Sequence, residues 1–462
     1  MPANSSNNVV QLKEVIVAMV PFADYSHLNS LFDLARFIAS HNIPVHFLCF
    51  ADRNQALKLC LQGGLGASNI HFDDLLLPSS PTENDDAGCD SMPLVLMFLK
   101  ELKEPIHKKC LELSTNTKRL VIIHDLMMSE HIQDAHTLPN VKSYIFQTGS
   151  TFNRYSCLQQ TIPDIADDDH DKLVEQMQGE FPLLEPHVKS YFRMEWEMKQ
   201  QSGEIINTFK EMEGKYPDLL ANAKDMPLWA FGPFHMLLES HDSISSSSSN
   251  MTSHECLKFL DKQDVNSVIF VSFGSTTTLS QEQLNELALG LEQSNHRFIW
   301  VLRKGDDVRK LKEKDEKIEL PEGFEKRVEG RGMVVSWAPQ LEILGHSSTG
   351  GFLSHCGWIS CLESISMGVP LATWPITYDQ PFNAIFVTKL LKIGISVKSW
   401  AHREELVTAS TIEKAVKTLM GTTEGEEMRQ RAVELSKKIK SSVSQGGPAR
   451  KQMEAFISNI IK

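Results

Sequence analysis

The chain has 462 residues, with 46 Lys and Arg against 59 Asp and Glu, which gives a formal net charge of −13. This length suits two or three domains, and the 41% hydrophobic and 23% charged residues are typical of a globular protein rather than a collagen-like or largely disordered chain. The acidic balance argues against binding nucleic acid or an anionic membrane through bulk positive charge.

Strands and helices alternate through the first half of the chain. Continuous apolar runs are typical of parallel strands that are covered on both faces. Such runs occur at residues 15–20, 45–50, 120–123 and 141–146. Helical spacing follows the first run, over residues 31–40, and precedes the third, over residues 93–113. This alternation predicts a right-handed, mostly parallel α/β sheet.

Residues 237–255 interrupt the alternation, because they include five consecutive serines at 245–249 and show no apolar periodicity. This composition is typical of an exposed linker. Six more strands are predicted beyond it, at residues 267–273, 297–302, 333–336, 351–354, 371–374 and 395–397. We therefore predict an N-terminal domain over residues 1–236, a linker over 237–255, a C-terminal domain over 256–440, and a helix over 441–462 that packs on the N-terminal domain.

Two such domains form a cleft between the carboxyl ends of their sheets, where open α/β folds bind ligands. Transferases, dehydrogenases and binding proteins all use this arrangement, so the fold class alone does not decide the function. A dehydrogenase needs a glycine-rich fingerprint directly after a strand, whereas Gly63, Gly64 and Gly66 follow a helical segment. An oxidoreductase is therefore the less consistent alternative.

The stretch of residues 337–380 contains side chains suited to a nucleotide. It reads WAPQLEILGHSSTGGFLSHCGWISCLESISMGVPLATWPITYDQ. Trp337 offers a flat face on which a planar base can stack, and Gln340 carries a donor and an acceptor that can read its edge. A tryptophan by itself is more often a core residue, so the interpretation depends on the residues that follow.

Those residues combine a phosphate site with acceptors for sugar hydroxyls. A helix is predicted to start at residue 358, and backbone amides at a helix N-terminus bind anions. Gly357 permits close approach of the backbone, and His355 and Ser360 can donate to phosphate oxygens. Glu363, one turn further on, can accept two hydrogen bonds from a ribose diol. The following Asp-Gln pair at 379–380 can bind neighbouring sugar hydroxyls.

Together these 44 residues resemble the donor signature of the family 1 plant UDP-sugar glycosyltransferases. The resemblance implies the GT-B fold, in which two Rossmann-like domains face each other across a cleft, and transfer from a UDP-sugar without a cofactor or a metal. The final glutamine leans towards glucose in that family. The implied donor contacts are Trp337 and Gln340 for the nucleoside, Ser275, His355 and Ser360 for the diphosphate, Glu363 for the ribose, and Trp358, Asp379 and Gln380 for the sugar, with Ala338, Gly357 and Ile359 completing the set.

One residue departs from the family pattern, since Ile359 stands where the family usually has asparagine. An asparagine there can hydrogen-bond a phosphate or the sugar, and one such bond contributes about 0.5–1.5 kcal/mol. We therefore expect weakened donor binding rather than loss of activity. The departure also leaves open a second class of function, a non-catalytic or weakly active nucleotide-sugar binder.

The N-terminal half contains candidates for a catalytic base. His27 follows the first strand, and a histidine with an ordinary pKa near 6.5 can take a proton from an acceptor hydroxyl. Asp125 ends another strand and can bond the far imidazole nitrogen, which stabilises the imidazolium. His124 and Asp24 are competing candidates on the residues alone. The family resemblance favours His27 and Asp125, although the usual preceding glycine is Ser26 here.

Other N-terminal segments, such as HLNS and INTFKEMEGKY, resemble the zeatin O-glucosyltransferase branch of the family. This resemblance implies an inverting displacement of UDP by a hydroxyl of a small acceptor, such as a cytokinin, although relatives take phenolics, flavonoids or terpenoids. Four apolar residues can either line an acceptor pocket or belong to the core. They are Phe22, Met127, Phe152 and Phe234. We expect a monomer.

A metal-dependent transferase is a further alternative, since residues 167–169 form a D-x-D sequence. These residues lie in the acidic stretch DIADDDHDK, which has no strand signal and is typical of a solvated loop. Other features predict a cytoplasmic chain. No apolar run approaches the ~20 residues that span a bilayer, the polar start predicts no secretory signal, and the eight scattered cysteines are typical of reduced thiols.

Overall fold

The computed structural model describes residues 12–61, 66–76, 101–162, 164–177, 179–198, 201–242, 254–274, 277, 279–302 and 319–462. Within these ranges, no helix combines the length and the apolar character needed to cross a membrane. Three sequence predictions lie wholly or partly outside the described residues, namely the donor contact Ser275, the serine run at 245–249 and the first part of the helix predicted over residues 93–113.

The first seven strands form a parallel sheet in the order β3-β2-β1-β4-β5-β6-β7. They are β1 (Lys13–Val20), β2 (Val45–Cys49), β3 (Ile70–Asp74), β4 (Thr117–Asp125), β5 (Val141–Gln147), β6 (Glu204–Ile206) and β7 (Leu228–Ala230). The four predicted strands β1, β2, β4 and β5 are confirmed, whereas β3, β6 and β7 carried no sequence prediction.

Nine helices of the described residues belong to this half of the chain. They are α1 (Tyr25–Ser40), α2 (Ala51–Leu61), α3 (Lys103–Thr115), α4 (Thr151–Gln159), α5 (Asp168–Gln176), α6 (Pro186–Glu197), α7 (Lys210–Glu213), α8 (Tyr216–Lys224) and α9 (Phe234–Asp242), with 3₁₀ segments at Ala67–Asn69 and Leu126–Thr137. Alternate residues of β1 enter two different apolar clusters, Val17 on one face with α1 and Ile16 on the other with α3. Because both faces are covered, the strand is apolar throughout.

The second half forms a parallel sheet in the order β10-β9-β8-β11-β12-β13. Its strands are β8 (Val268–Ser272), β9 (Arg297–Val301), β10 (Gly332–Val335), β11 (Thr349–Ser354), β12 (Leu371–Thr373) and β13 (Gly394–Ser396). Its helices are α10 (Glu255–Leu260), α11 (Gln281–Ser294), α12 (Phe324–Arg327), α13 (Gln340–Gly345), α14 (Trp358–Met367), α15 (Gln380–Ile385), α16 (Ala409–Gly421), α17 (Thr423–Val443) and α18 (Pro448–Ile461), with a π-helical turn at Phe386–Leu390. All six predicted strands are present, and the α/β fold of two Rossmann-like domains is confirmed.

The structure changes the start of the expected linker and places the last helix against the first domain. The sequence placed the linker from residue 237, which is wrong for its first residues, because α9 continues to Asp242 and buries Leu237 and Leu238 in the apolar core. At the end of the chain, α18 packs against β7 and β1 of the first sheet. There Asn459 Nδ2 donates to the Tyr144 hydroxyl at 2.7 Å.

Candidate active site

A cavity of about 2250 Å³ lies between the two domains, at the carboxyl ends of both sheets. His27 of the first domain lies on its wall. Eleven predicted donor contacts of the second domain also line it: Trp337, Ala338, Gln340, His355, Gly357, Trp358, Ile359, Ser360, Glu363, Asp379 and Gln380. The fold therefore brings the base candidate and the donor signature to one cavity, which neither segment could indicate alone.

His27 and Asp125 form a hydrogen-bonded pair at the carboxyl ends of two neighbouring inner strands, β1 and β4, of the first sheet. Because β1 and β4 are neighbours in parallel register, with Val20 opposite His124, the residues after β1 meet the end of β4. His27 Nδ1 lies 2.7 Å from Asp125 Oδ2, and Asp125 Oδ1 accepts from the Met127 amide at 2.9 Å. Since Nδ1 is engaged, Nε2 is the nitrogen left to take a proton from a ligand.

The environment of this pair keeps its imidazole basic. The Asp125 side chain is 1% exposed, whereas 26% of the His27 side chain remains accessible from the cavity. Burial by itself lowers the pKa of His27, but the charge and hydrogen bond of Asp125, with smaller contributions from Asp24 and Asp379, raise that pKa above its ordinary value. The contribution of Asp379 comes from the donor side of the cavity.

The competing candidates serve other purposes. His124 is fully buried, its Nδ1 bonds the Asp125 carbonyl at 2.9 Å, and burial lowers its pKa to about 4. Asp24 is the N-cap of α1, where its carboxylate accepts from the Ser26 amide at 3.2 Å. The geometry is consistent with His27 and Asp125 as the catalytic pair, which stays a prediction.

The residues predicted to bind the nucleoside include an exposed indole and a half-buried carboxyl group. Trp337 is 58% exposed, and its ring meets His254 edge-to-face with centroids 5.4 Å apart. Gln340 Nε2 donates to Glu363 Oε2 at 2.6 Å and to Ser360 Oγ at 3.0 Å. Burial raises the pKa of Glu363 to about 7, against the opposing effect of the Gln340 hydrogen bond. Sequence reasoning did not detect His254, because no local pattern joins it to the signature.

The turn from β11 to α14 has the form of an anion site. Gly357 is the N-cap of α14, so the first backbone amides of this ten-residue helix are free of intrahelical partners. A Cβ atom on Gly357 would lie 2.6 Å from His355 Nε2, and one on Gly274 would lie 2.7 Å from it. Both glycines are therefore required to admit the imidazole. Burial lowers the pKa of His355 to about 4, so this ring is a neutral hydrogen-bonding group at pH 7.

The residues predicted to bind the sugar are held in place by a buried amide. Asn383 Nδ2 donates to Asp379 Oδ2 at 2.8 Å and to the Cys356 carbonyl at 3.0 Å, which joins the sugar side to the anion turn. Gln380 Oε1 accepts from the amides of Ile376 and Thr377 at 2.9 and 3.0 Å. These contacts hold the turn before α15 in one conformation.

The Trp358 side chain is used differently from the expectation. Its indole Nε1 donates to the carbonyl of Asn207 in the first domain at 3.0 Å, and the residue is only 3% exposed. The indole therefore stabilises the contact between the domains. What remains for a donor sugar at this position is the Trp358 backbone amide in the first turn of α14.

The sequence predicted a solvated loop for the acidic D-x-D stretch, and this prediction is wrong, because the stretch begins a helix. Asp167 caps α5 by accepting from the His170 amide at 2.9 Å, and Asp168 and Asp169 lie in the first turn. Lys215 pairs with Asp167 and with Asp169. Acidic residues near a helix N-terminus are stabilised by the free amides and the helix dipole, which explains the cluster without a ligand.

Two of the four apolar residues considered for an acceptor pocket line the cavity, and two do not. Phe22 and Met127 lie on the wall. Phe152 and Phe234 are 0% and 2% exposed and belong to the core. Phe152 stacks on Phe386 of the second domain with centroids 5.7 Å apart, so it stabilises the domain contact.

Comparison with known families agrees with this geometry. The family model described as "UDP-glucoronosyl and UDP-glucosyl transferase" matches residues 169–440. The chain belongs to the UDP-glycosyltransferase family. A second model, "Glycosyltransferase, N-terminal domain", matches residues 13–236. The two matches together span both sheets of the fold, and the chain is accordingly a UDP-glycosyltransferase.

Similar proteins of this family include enzymes of cytokinin metabolism. The zeatin O-glucosyltransferase of Phaseolus lunatus is 43% identical over 467 residues, which cover 97% of each chain. The zeatin O-xylosyltransferase of Phaseolus vulgaris is also 43% identical, over 97% of this chain and 98% of that one. The structure of Phytolacca americana UGT2 complexed with UDP-2fluoro-glucose and pterostilbene is 28% identical, with a TM-score of 0.76 over 97% of this chain and 100% of that chain. The fold is thus GT-B.

Proposed function

We propose that this UDP-glycosyltransferase moves glucose from UDP-glucose to a hydroxyl group of a small plant metabolite. The observation that carries the proposal is the His27–Asp125 pair, at 2.7 Å, whose histidine lies on the wall of the cavity that the donor signature also lines. A nucleotide-sugar binder has no use for a basic imidazole held by a buried carboxylate. This pair therefore favours an enzyme over the binder that Ile359 left open.

The donor is held by groups that match its parts. Uracil stacks on the exposed Trp337, the ribose diol donates to Glu363, and the diphosphate accepts from His355 and the first amides of α14. Glucose hydroxyls bond Asp379 and Gln380. These neutral and backbone donors bind the diphosphate although the chain carries a net charge of −13.

Transfer is a single displacement. His27 Nε2 takes the proton of the acceptor hydroxyl while its oxygen attacks the anomeric carbon, and the bond to UDP breaks with its electron pair going to the phosphate oxygen. The attack comes from the face opposite UDP, so the configuration inverts. Asp125 stabilises the imidazolium, and the amides of α14 stabilise the charge on UDP. No metal is part of this proposal, and the pairing of the D-x-D carboxylates with Lys215 supports that part.

The acceptor class is inferred from relatives and from the cavity. Two relatives at 43% identity act on zeatin, so a cytokinin is the first candidate, followed by phenolics, flavonoids and terpenoids. Phe22, Met127 and Leu184 give the first-domain wall an apolar character that suits such molecules. A cytoplasmic location and a monomeric state complete the proposal.

The direct test is a panel of acceptors, with UDP-glucose and UDP-xylose as donors and mass spectrometry as the readout. We expect a glucoside of at least one hydroxylated acceptor, and the same rate after EDTA treatment. Binding of UDP-glucose with neither hydrolysis nor a glucoside product would favour the alternative function, a non-catalytic nucleotide-sugar binder. Loss of activity in EDTA that Mn²⁺ restores would contradict the metal-free reaction.

Replacement of Ile359 with asparagine is expected to strengthen donor binding. Ile359 lies on the cavity wall in the first turn of α14, where an amide side chain can reach the diphosphate or the sugar. One added hydrogen bond lowers the KM for UDP-glucose about two- to tenfold. Ile359→Ala is the matched control, because it removes the isoleucine without adding an amide. An unchanged or higher KM in Ile359→Asn contradicts the prediction.

The KM for UDP-glucose is expected to fall as the pH rises through 7. The pKa of Glu363 is raised to about 7 by burial, so its carboxyl group is mostly protonated at pH 6 and ionised at pH 8. Ribose hydroxyls donate more strongly to the ionised form, which lowers KM about fivefold across this interval. In Glu363→Gln this pH dependence should disappear. In Glu342→Gln it should persist but move to lower pH, because the charge of the exposed Glu342 is one of the causes that raise the pKa of Glu363. A wild-type KM that is flat from pH 6 to 8 refutes the ionisation of Glu363 as its cause.

A further inference from the structure

A segment of the second domain, residues 399–403, reaches across to the first domain at the cavity. It follows β13, the edge strand of the second sheet. Glu180 of the first domain receives it: Ser399 Oγ donates to one carboxylate oxygen, and the backbone amides of Trp400 and Ala401 lie 3.0 and 3.5 Å from the other. Three donors from consecutive residues thus converge on one carboxylate, which fixes the segment more firmly than a single bond would.

Gly179 of the first domain also lies close to Ala401 of the second beside this contact. A Cβ atom on Gly179 would lie 3.8 Å from the Ala401 methyl group, which is ordinary van der Waals distance. The adjacent Phe181 packs edge-to-face against Phe382 of the second domain, with centroids 5.5 Å apart. The Glu180 contact is therefore part of a packed junction between the domains rather than an isolated surface pair.

Trp400 is the indole that this junction presents to the cavity, beside the phenyl rings of Phe181 and Phe382. Trp400 and Arg403 both line the cavity wall, together with Gly179 and Phe181 of the first domain. The Arg403 guanidinium lies over the Trp400 ring, 5.0 Å from its centroid, and Arg403 Nη1 donates to the Trp400 carbonyl at 3.3 Å. Arg403 covers one face of the indole, and because Trp400 is half-buried and lines the cavity, part of its ring remains accessible from that cavity.

We propose that Trp400 is a specificity-determining residue of the acceptor site, held in position by Glu180, and that it selects acceptors with a planar aromatic or heteroaromatic ring. The inference rests on the proposed function and deepens it by naming the acceptor chemistry. A flat indole face gains more from stacking on a conjugated ring than from a puckered saturated ring. The second domain thereby contributes to the acceptor site as well as to the donor site.

The first experiment measures equilibrium binding of acceptors to the full chain saturated with UDP. The planar probes are trans-zeatin and quercetin, and the puckered probe is menthol. The comparison uses whichever planar probe binds the wild type more tightly. We expect Trp400→Leu to raise its Kd about tenfold and Trp400→Phe to change that Kd by no more than about threefold. The Kd values of menthol and UDP should be unaffected in both variants. A change below twofold in Trp400→Leu, an equal loss for menthol, or a wild type that binds neither planar probe overturns the proposal.

The second experiment tests the role of Glu180. Glu180→Ala is expected to weaken planar-probe binding about as much as Trp400→Leu, and the double variant to show no further loss, because both changes remove the same placed ring. Additive losses overturn the positioning role. These measurements do not depend on turnover: a wild type that binds the planar probes through Trp400 but forms no glucoside refutes the proposed function and leaves this inference standing.

Discussion

Replacement of His27 with alanine is expected to lower kcat about a thousandfold, because the acceptor hydroxyl loses its general base. Donor binding should be unaffected, since the predicted donor contacts belong to the second domain and, among the described residues, none of their hydrogen bonds passes through His27. The measurement is a steady-state assay with the acceptor identified by the panel, together with calorimetric titration of UDP.

Ser26→Gly is the matched control for this variant. Ser26 is exposed beside His27 in the first turn of α1, and glycine is the residue that the family usually has there. We expect this control to retain at least half of the wild-type kcat. Near-normal turnover in His27→Ala would refute the base. A parallel loss of UDP affinity would show instead that the substitution perturbs the whole cavity.

Replacement of Arg154 with methionine is expected to lower the free energy of unfolding by about 3–5 kcal/mol, because it leaves buried carboxylates without their partner. Arg154 is 2% exposed and contacts Glu195 and Glu204, which are themselves buried. Lys224 completes the cluster at 2.6 Å from Glu195 and 3.2 Å from Glu204. One cation cannot compensate two buried carboxylates.

Urea unfolding followed by far-UV circular dichroism checks this second prediction. Arg193→Met is the matched control, because Arg193 lies on α6 beside the cluster and makes a single bond, to the Thr161 carbonyl at 3.3 Å. Arg193→Met should lower the free energy of unfolding by less than about 1 kcal/mol. Equal costs in the two variants would mean that the buried cluster contributes no more than a surface arginine.

This buried cluster also has a consequence for the cavity. Its four residues lie on α4, α6, β6 and α8, so it ties four elements of the first domain together. Helix α6 carries Tyr191 and Phe192 to the cavity wall, and Arg154 packs over the Phe192 ring at 5.2 Å from its centroid. Arg154→Met should therefore also raise the KM of the acceptor.

The elements that could be predicted are those whose information is local in the chain. The strands β8 to β13 were all predicted, because a run buried on both faces is apolar throughout and the alternation with helices repeats regularly. The strands β6 and β7 were not, although β12 and β13 are equally short. In β6 the apolar run is interrupted by Glu204, whose carboxylate is buried because it pairs with Arg154 of a distant helix. The end of α9 was misassigned as linker, because its apolar residues pack on distant elements rather than forming a regular local pattern.

The donor signature is likewise local, since all but one of its expected contacts fall within the 44 residues of 337–380. That arrangement allowed the family, the GT-B fold and the donor class to be inferred from the amino-acid sequence by itself. Tertiary structure alone decided which partners meet. His27 and Asp125 are 98 positions apart, the Trp358 indole reaches Asn207 across 151 positions, and Glu180 receives Trp400 across 220. Such contacts depend on how two sheets and their connections pack, and neither side-chain periodicity nor spacing records that packing.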